Sequence, residues 1–179
     1  MKINKIVVGP LQTNCYLISF GDRALVIDPG DQVERIIERL GQLKLEKIIL
    51  THYHFDHVNA ALELKEKTGA DILIHEGEKS FLGFKADQYL KEGNLIQFGQ
   101  ESLKVIHSPG HTQGSICLLG QKEIFVGDLI FAEGYGRTDL PGGSDQAMSQ
   151  SLEKISQIIK SGMTVYSGHG EVFKSNTKN

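Results

Sequence analysis

At 179 residues and 40% hydrophobic content, the chain is long enough to bury a core of its own, and one globular domain over residues 1–179 is expected. Its 19 lysines and arginines against 22 aspartates and glutamates leave a net charge of −3, which excludes the basic footprint of a nucleic-acid or anionic-membrane binder. No apolar stretch approaches the length of a membrane span, and no signal-like apolar segment follows Met1, so a cytoplasmic location is expected.

The N-terminal third reads as three strands, "KINKIVVG", "NCYLISFG" and "RALVIDPG", joined by hairpin-like connections. At Asp31 the period changes: Val33, Ile36, Ile37 and Leu40 share one helical face, with Asp31 and Glu34 spaced as a capping box. "KIILTH" reads as a buried strand, "VNAALELKEKTGA" as a helix stopping at Gly69, and "DILIHE" as a further strand. Residues 76–91 are weakly helical in pattern. Strands follow at "NLIQFG", "ESLKVIHSPG", "GSICLLG" and "EIFVGD". The glycine-rich loop "GYGRTDLPGG" then leads into a helix from about Ser144 to Lys160, whose apolar face is Met148, Leu152, Ile155 and Ile159. "TVYSGHG" is a last short strand and turn. Two sheets with helices outside them would bury all these faces, and an α/β fold is expected. Cys15 and Cys117 lie far apart in apolar runs and read as buried, reduced thiols.

Five of the seven histidines follow strand-like runs directly: His52, His54 and His57 in "THYHFDH", His111 in "PGHTQGS" and His169 in "SGHG". In an extended segment His52 and His54 point to the same side, whereas Asp56 and His57 fall where the chain turns into a helix. One short stretch can therefore address two metal ions. Zinc favours imidazole and carboxylate donors, and a catalytic site keeps a position open for water. With Asp128 in "FVGDLI", the candidate ligands are His52, His54, Asp56, His57, His111, Asp128 and His169. His75 and His107 stand outside this pattern and read as partly buried, hydrogen-bonded histidines.

H-x-H-x-D-H followed by "PGHTQGS", "GD" and "GHG" resembles the metallo-β-lactamase superfamily, and "THYHFDH" with "GRTDLPGG" is similar to its glyoxalase II-like branch. The resemblance implies an αββα sandwich: two mixed sheets with helices on the outer faces and a binuclear site along one edge. It implies two divalent ions, zinc above iron or manganese. One would be held by His52, His54 and His111, the other by Asp56, His57 and His169, with Asp128 bridging and Asp56 and Asp128 as catalytic carboxylates. Asp28 in "VIDPG" matches a family position that supports the ligands, although a turn-former before Pro29 and Gly30 is an equal reading. Thr51 and Thr112 are expected in similar supporting parts. Arg137 falls where the family places a basic residue near the substrate, but Asp139 occupies the neighbouring tyrosine position. The full glyoxalase II pattern also carries a C-terminal helical domain that this sequence does not include.

The implied reaction is hydrolysis of a small-molecule 2-hydroxyacyl thioester such as S-lactoylglutathione by a metal-bridging hydroxide. Bound zinc lowers the pKa of water from about 15.7 to about 7, and a thiol leaving group of pKa about 8.5 needs no separate acid. The alternatives are persulfide dioxygenation at one iron held by His52, His111 and Asp128, and lactonase-type ester hydrolysis.

Overall fold

The computed structural model describes residues 1–175. Its elements in chain order are β1 (Lys2–Val8), β2 (Thr13–Phe20), β3 (Arg23–Ile27), α1 (Val33–Leu40), β4 (Lys44–Ile49), α2 (Phe55–Val58), α3 (Ala61–Thr68), β5 (Asp71–His75) and β6 (Gln88–Leu90). There follow β7 (Leu95–Phe98), β8 (Glu101–His107), β9 (Ile116–Leu119), β10 (Glu123–Gly127), β11 (Ile130–Phe131), β12 (Gly134–Tyr135), α4 (Asp145–Ile158), β13 (Thr164–Ser167) and β14 (Phe173–Lys174).

Two six-stranded sheets result, ordered β1-β2-β3-β4-β5-β6 and β14-β13-β10-β9-β8-β7. Both are mixed: β1, β2 and β3 are antiparallel neighbours while β3 to β6 run parallel, and β10 pairs in parallel with β13 but antiparallel with β9. The expected hairpins and sandwich are present. Alternation along each strand sorts the side chains into layers. Tyr16, Ile18, Leu25, Ile27, Ile49 and Leu73 of the first sheet face Phe98, Leu103, Val105, Leu118 and Phe125 of the second, forming the central core. The opposite faces are covered by helices, with Val33, Ile36, Ala61 and Leu64 packed on the first sheet and Met148 and Ile155 on the second. Strands buried on both faces read as unbroken apolar runs, as "KIIL" does.

Several expectations are corrected. The capping box does not form: helix α1 is preceded by Gln32 in a left-handed conformation with no side-chain cap, and Asp31 Oδ1 instead accepts the Gln32 N–H at 2.6 Å. The helix expected from Val58 begins only at Ala61 as α3, because the ligand-bearing turn before it keeps its own short helix, α2. Residues 76–91 hold a 3-10 turn at Glu76–Glu78 and the edge strand β6 rather than a helix. The segment around the glycine-rich loop carries the small hairpin β11–β12. Helix α4 starts as expected, with the Ser144 hydroxyl accepting the Ala147 N–H, but ends at Ile158. Cys15 and Cys117 are buried and free. No helix among the described residues is long and apolar enough to cross a membrane.

Phe125 packs between Tyr16 and Tyr166 in the central core, at ring-centroid distances of 5.4 and 4.8 Å. Phe125→Ala is therefore expected to lower unfolding stability by about 3–5 kcal/mol. Urea denaturation checks this, and a loss below about 1 kcal/mol would contradict the packing described.

Candidate metal centre

The seven donors expected from the sequence come from four segments that meet at one edge of the sandwich. His52 and His54 follow β4, Asp56 and His57 open α2, His111 lies between β8 and β9, Asp128 follows β10, and His169 follows β13. Their donor atoms converge in three overlapping groups, His52–His54–His111, His52–His57–Asp128 and Asp56–His57–His169, with all donors of a group within 4.8 Å of one another.

What aims the rings is hydrogen bonding on their far sides. His57 Nδ1–H donates to Asp28 Oδ2 at 2.9 Å. His52 Nδ1–H donates to Thr51 Oγ1 at 3.0 Å, and that hydroxyl donates to Asp28 Oδ2 at 2.7 Å. His111 Nδ1–H donates to the Arg137 carbonyl at 2.7 Å, and His169 Nδ1–H to the Leu11 carbonyl at 3.1 Å. Four imidazoles are thus fixed in the tautomer that turns Nε2 inward, the arrangement that orients histidine ligands in metal sites. His54 turns its Nδ1 inward instead, 2.8 Å from His111 Nε2.

The spacing of the inward atoms fits a metal ion. Donors about 2.0–2.1 Å from a tetrahedral zinc stand about 3.3 Å from one another. His57 Nε2 lies 3.3 Å from His169 Nε2 and 3.4 Å from Asp56 Oδ2, and His169 Nε2 lies 3.2 Å from Asp56 Oδ2. Asp128 Oδ2 is 3.5 Å from both His111 Nε2 and His169 Nε2, which places this carboxylate between the two groups. Among the described residues, the buried side-chain polar atoms without a hydrogen-bond partner are His52 Nε2, His54 Nε2, Asp128 Oδ1 and Ser167 Oγ. Two of these, His52 Nε2 and Asp128 Oδ1, are convergent donors of the cluster, where a buried group left unpaired is costly and calls for a partner.

The electrostatics point the same way. Burial, reinforced by the neighbouring His57 and His111, holds His52 well below its ordinary pKa. Burial and His111 push His54 down to about 4. Burial lowers His57 too, but the charges of Asp128 and Asp28 outweigh it and raise the pKa. His169 is lowered by burial, yet its hydrogen bonds to Asp128 and Asp56 push it up to about 10. Asp56 and Asp128 are raised by burial and still end below the usual carboxylate range, through His169 and His57. Three carboxylates, Asp28, Asp56 and Asp128, thus draw positive charge into the cleft.

Asp28 has the supporting place that one of its two sequence readings assigned. It adopts φ 53°, and its carboxylate accepts from Thr51 N at 2.8 Å, from Thr51 Oγ1 and from His57 Nδ1. The following Gly30 matters as well, because a Cβ there would collide with the Asp56 carbonyl. Thr51 touches a ligand directly. Thr112 does not: its hydroxyl donates to Glu78 Oε1 at 2.7 Å. Arg137 reaches the cluster through its carbonyl, while its exposed guanidinium forms a two-pronged pair with Asp139 at 2.7 and 2.8 Å. His75 and His107 stack at 4.1 Å and bond to Gly77 N–H and the Gln113 carbonyl, as structural histidines.

Sequence reasoning missed Glu78, Thr13 and Asn14. Buried Glu78 accepts from Tyr53 N at 3.0 Å, from Thr112 Oγ1 and from Gly114 N, tying the His54 loop to the His111 loop. Thr13 Oγ1 donates to Asp56 Oδ2 at 2.9 Å, and Asn14 Nδ2 donates to the Ser167 and Gly170 carbonyls, each at 2.9 Å, on either side of His169. Glu78 lies in the stretch with no clear period, and no local motif marks the other two.

Replacing Glu78 by Gln leaves one acceptor oxygen and turns an amide N–H towards a buried donor. Glu78→Gln is expected to cost about 1–3 kcal/mol of stability, measured by denaturant unfolding at neutral pH. An unchanged midpoint would show that this carboxylate does not hold the two loops.

The comparisons agree with this architecture. The model of the metallo-beta-lactamase superfamily matches residues 8–169. Hydroxyacylglutathione hydrolase GloC of Haemophilus influenzae is 32% identical, covering 95% of this chain and 91% of its own length. Among solved structures, BLEG-1 B3 metallo-beta-lactamase superposes with a TM-score of 0.91 at 29% identity, covering 97% of this chain and 94% of that one. TTHA1623, solved in a di-iron-bound form, superposes with a TM-score of 0.86 at 30% identity, covering 96% of this chain and 94% of that one. The chain belongs to the metallo-beta-lactamase superfamily of metal-binding hydrolases.

Proposed function

We propose that the protein is a binuclear metallohydrolase acting on 2-hydroxyacyl thioesters, with S-lactoylglutathione as reference substrate. The observation that carries this reading is the set of four histidines whose Nδ1–H groups are bound outward to oxygens, leaving inward Nε2 atoms around Asp128. His52, His54 and His111 would hold one divalent ion, Asp56, His57 and His169 the other, with Asp128 shared. Zinc suits these donors, and the di-iron form of TTHA1623 supports iron as an alternative.

When bound, such ions supply a water ionised near neutral pH and a Lewis acid for the carbonyl oxygen. The chain's own residues do the positioning. Asp56 and Asp128 bring two negative charges against four positive ones, so that the centre stays electrophilic. Thr13 fixes the Asp56 carboxylate, and Asp28 holds Thr51 and His57 so that two ligand rings keep their orientation. A thiolate leaving group, with pKa about 8.5, departs without a proton donor, which fits a centre where His169 and His57 hold Asp56 and Asp128 below the usual carboxylate range. The dioxygenase alternative uses His52, His111 and Asp128 and leaves the convergent Asp56, His57 and His169 without a task.

The test is hydrolysis of S-lactoylglutathione by metal-stripped protein reloaded with zinc, manganese or iron. Activity is expected only with metal, and Asp56→Ala is expected to lower kcat by at least about 100-fold with the fold intact by circular dichroism. Oxygen uptake with glutathione persulfide and no thioester or lactone hydrolysis would reject the proposal. A second expectation concerns Asp28→Asn, which puts an amide N–H against the donors of Thr51 and His57. Its metal affinity is expected to fall about 10–100-fold in chelator competition, and wild-type affinity would remove Asp28 from its supporting role.

A further inference from the structure

A cavity of about 320 Å³ opens beside His169, lined by Phe131, Ala132, Glu133, His169, Gly170 and Glu171. The Phe131 ring lies 6.2 Å from the His169 ring, so this cavity adjoins the donors. Two carboxylates line it, and neither lysine nor arginine does. Glu133 has no ion pair among the described residues, and Glu171 has only Lys5 at 4.0 Å, a lysine whose ammonium also donates to the Gly170 carbonyl at 3.2 Å. Arg137, a short way along the chain, is neutralised by its two-pronged pair with Asp139. Among the residues that line the cavity, an anionic arm meets the carboxylates of Glu133 and Glu171 and no cation.

Large apolar side chains are also exposed on the segments that carry or support the donors. Leu11, Phe55 and Tyr135 are 52%, 66% and 61% exposed. The Leu11 carbonyl holds His169, Phe55 stands between His54 and Asp56, and Tyr135 precedes Gly136, which packs on the Asp128 carbonyl. Within the cavity itself Phe131 and Ala132 add apolar lining beside the two carboxylates, and apolar lining at a polar cleft marks a ligand seat.

We propose that this mouth selects thioesters whose thiol arm is uncharged and partly apolar, against anionic arms of the glutathione kind, with Glu133 and Glu171 as the selecting side chains. The inference rests on the thioesterase reading for its substrate class but is tested without turnover. Metal-loaded protein is titrated calorimetrically with two non-hydrolysable thioethers, S-hexylglutathione and N-acetyl-S-hexylcysteamine. The uncharged thioether is expected to bind at least about fivefold tighter at low salt, the worth of one to two exposed like-charge contacts. The gap is expected to narrow as salt rises and in Glu133→Lys/Glu171→Lys, with Glu133→Gln/Glu171→Gln covering a charge-reversed protein that fails to fold. Equal or tighter binding of S-hexylglutathione, a gap indifferent to both double variants, or no binding of either thioether overturns the proposal. Lactoyl thioesters of the same two arms are assayed alongside. Retained thioether selectivity without turnover supports the mouth's selectivity and rejects the hydrolase reading alone.

Discussion

The carboxylate of Asp28 is the point on which the site hangs. It closes β3, accepts from the Thr51 backbone and hydroxyl at the end of β4, and holds His57 at the start of α2. These contacts span two parallel strands and the turn after them, so the sheet and the ligand loop are set by one buried group. Its left-handed backbone and the absence of a side chain at Gly30 let the ligand turn lie directly on the strand end. Strain and burial of this kind, concentrated beside a cluster of histidines, belong to a site held ready rather than formed on binding.

The sandwich makes that arrangement rigid. Its central apolar layer fixes the two sheets face to face, and the donors all emerge at one edge, where strands end and loops begin. Glu78 then joins the first-sheet loop to the second-sheet loop through buried hydrogen bonds. Burying so many carboxylates and imidazoles in an otherwise apolar fold is unfavourable unless opposite charge enters. The carboxylates of Asp56 and Asp128 raise the pKa values of His57 and His169, so the cleft draws positive charge, which divalent ions would supply more strongly than protons.

Much of this was legible in the sequence because the chemistry is local there. "THYHFDH" puts four donors in seven residues, and His111, Asp128 and His169 stand beside glycines after strand-like runs. Buried strands announce themselves by apolar runs such as "KIIL", and α4 by the spacing of Met148, Leu152 and Ile155. What escaped has no periodic or local signature. The carbonyls of Leu11 and Arg137 orient histidines through backbone atoms that any residue supplies. Glu78 bridges two loops that are distant along the chain, in a segment whose turn-and-edge-strand structure is set by tertiary contacts. The unformed capping box failed for a similar reason, since the backbone at Gln32 turns left-handed and Asp31 bonds locally instead.

The central claim is that outward-bound imidazoles and a shared Asp128 define two metal positions. Anomalous diffraction from crystals of metal-loaded protein tests it most directly. The expected result is two peaks flanking Asp128, one contacted by His52 Nε2, His54 Nδ1 and His111 Nε2, the other by Asp56, His57 Nε2 and His169 Nε2. A single peak bounded by His52, His111 and Asp128, with Asp56, His57 and His169 unengaged, would contradict it.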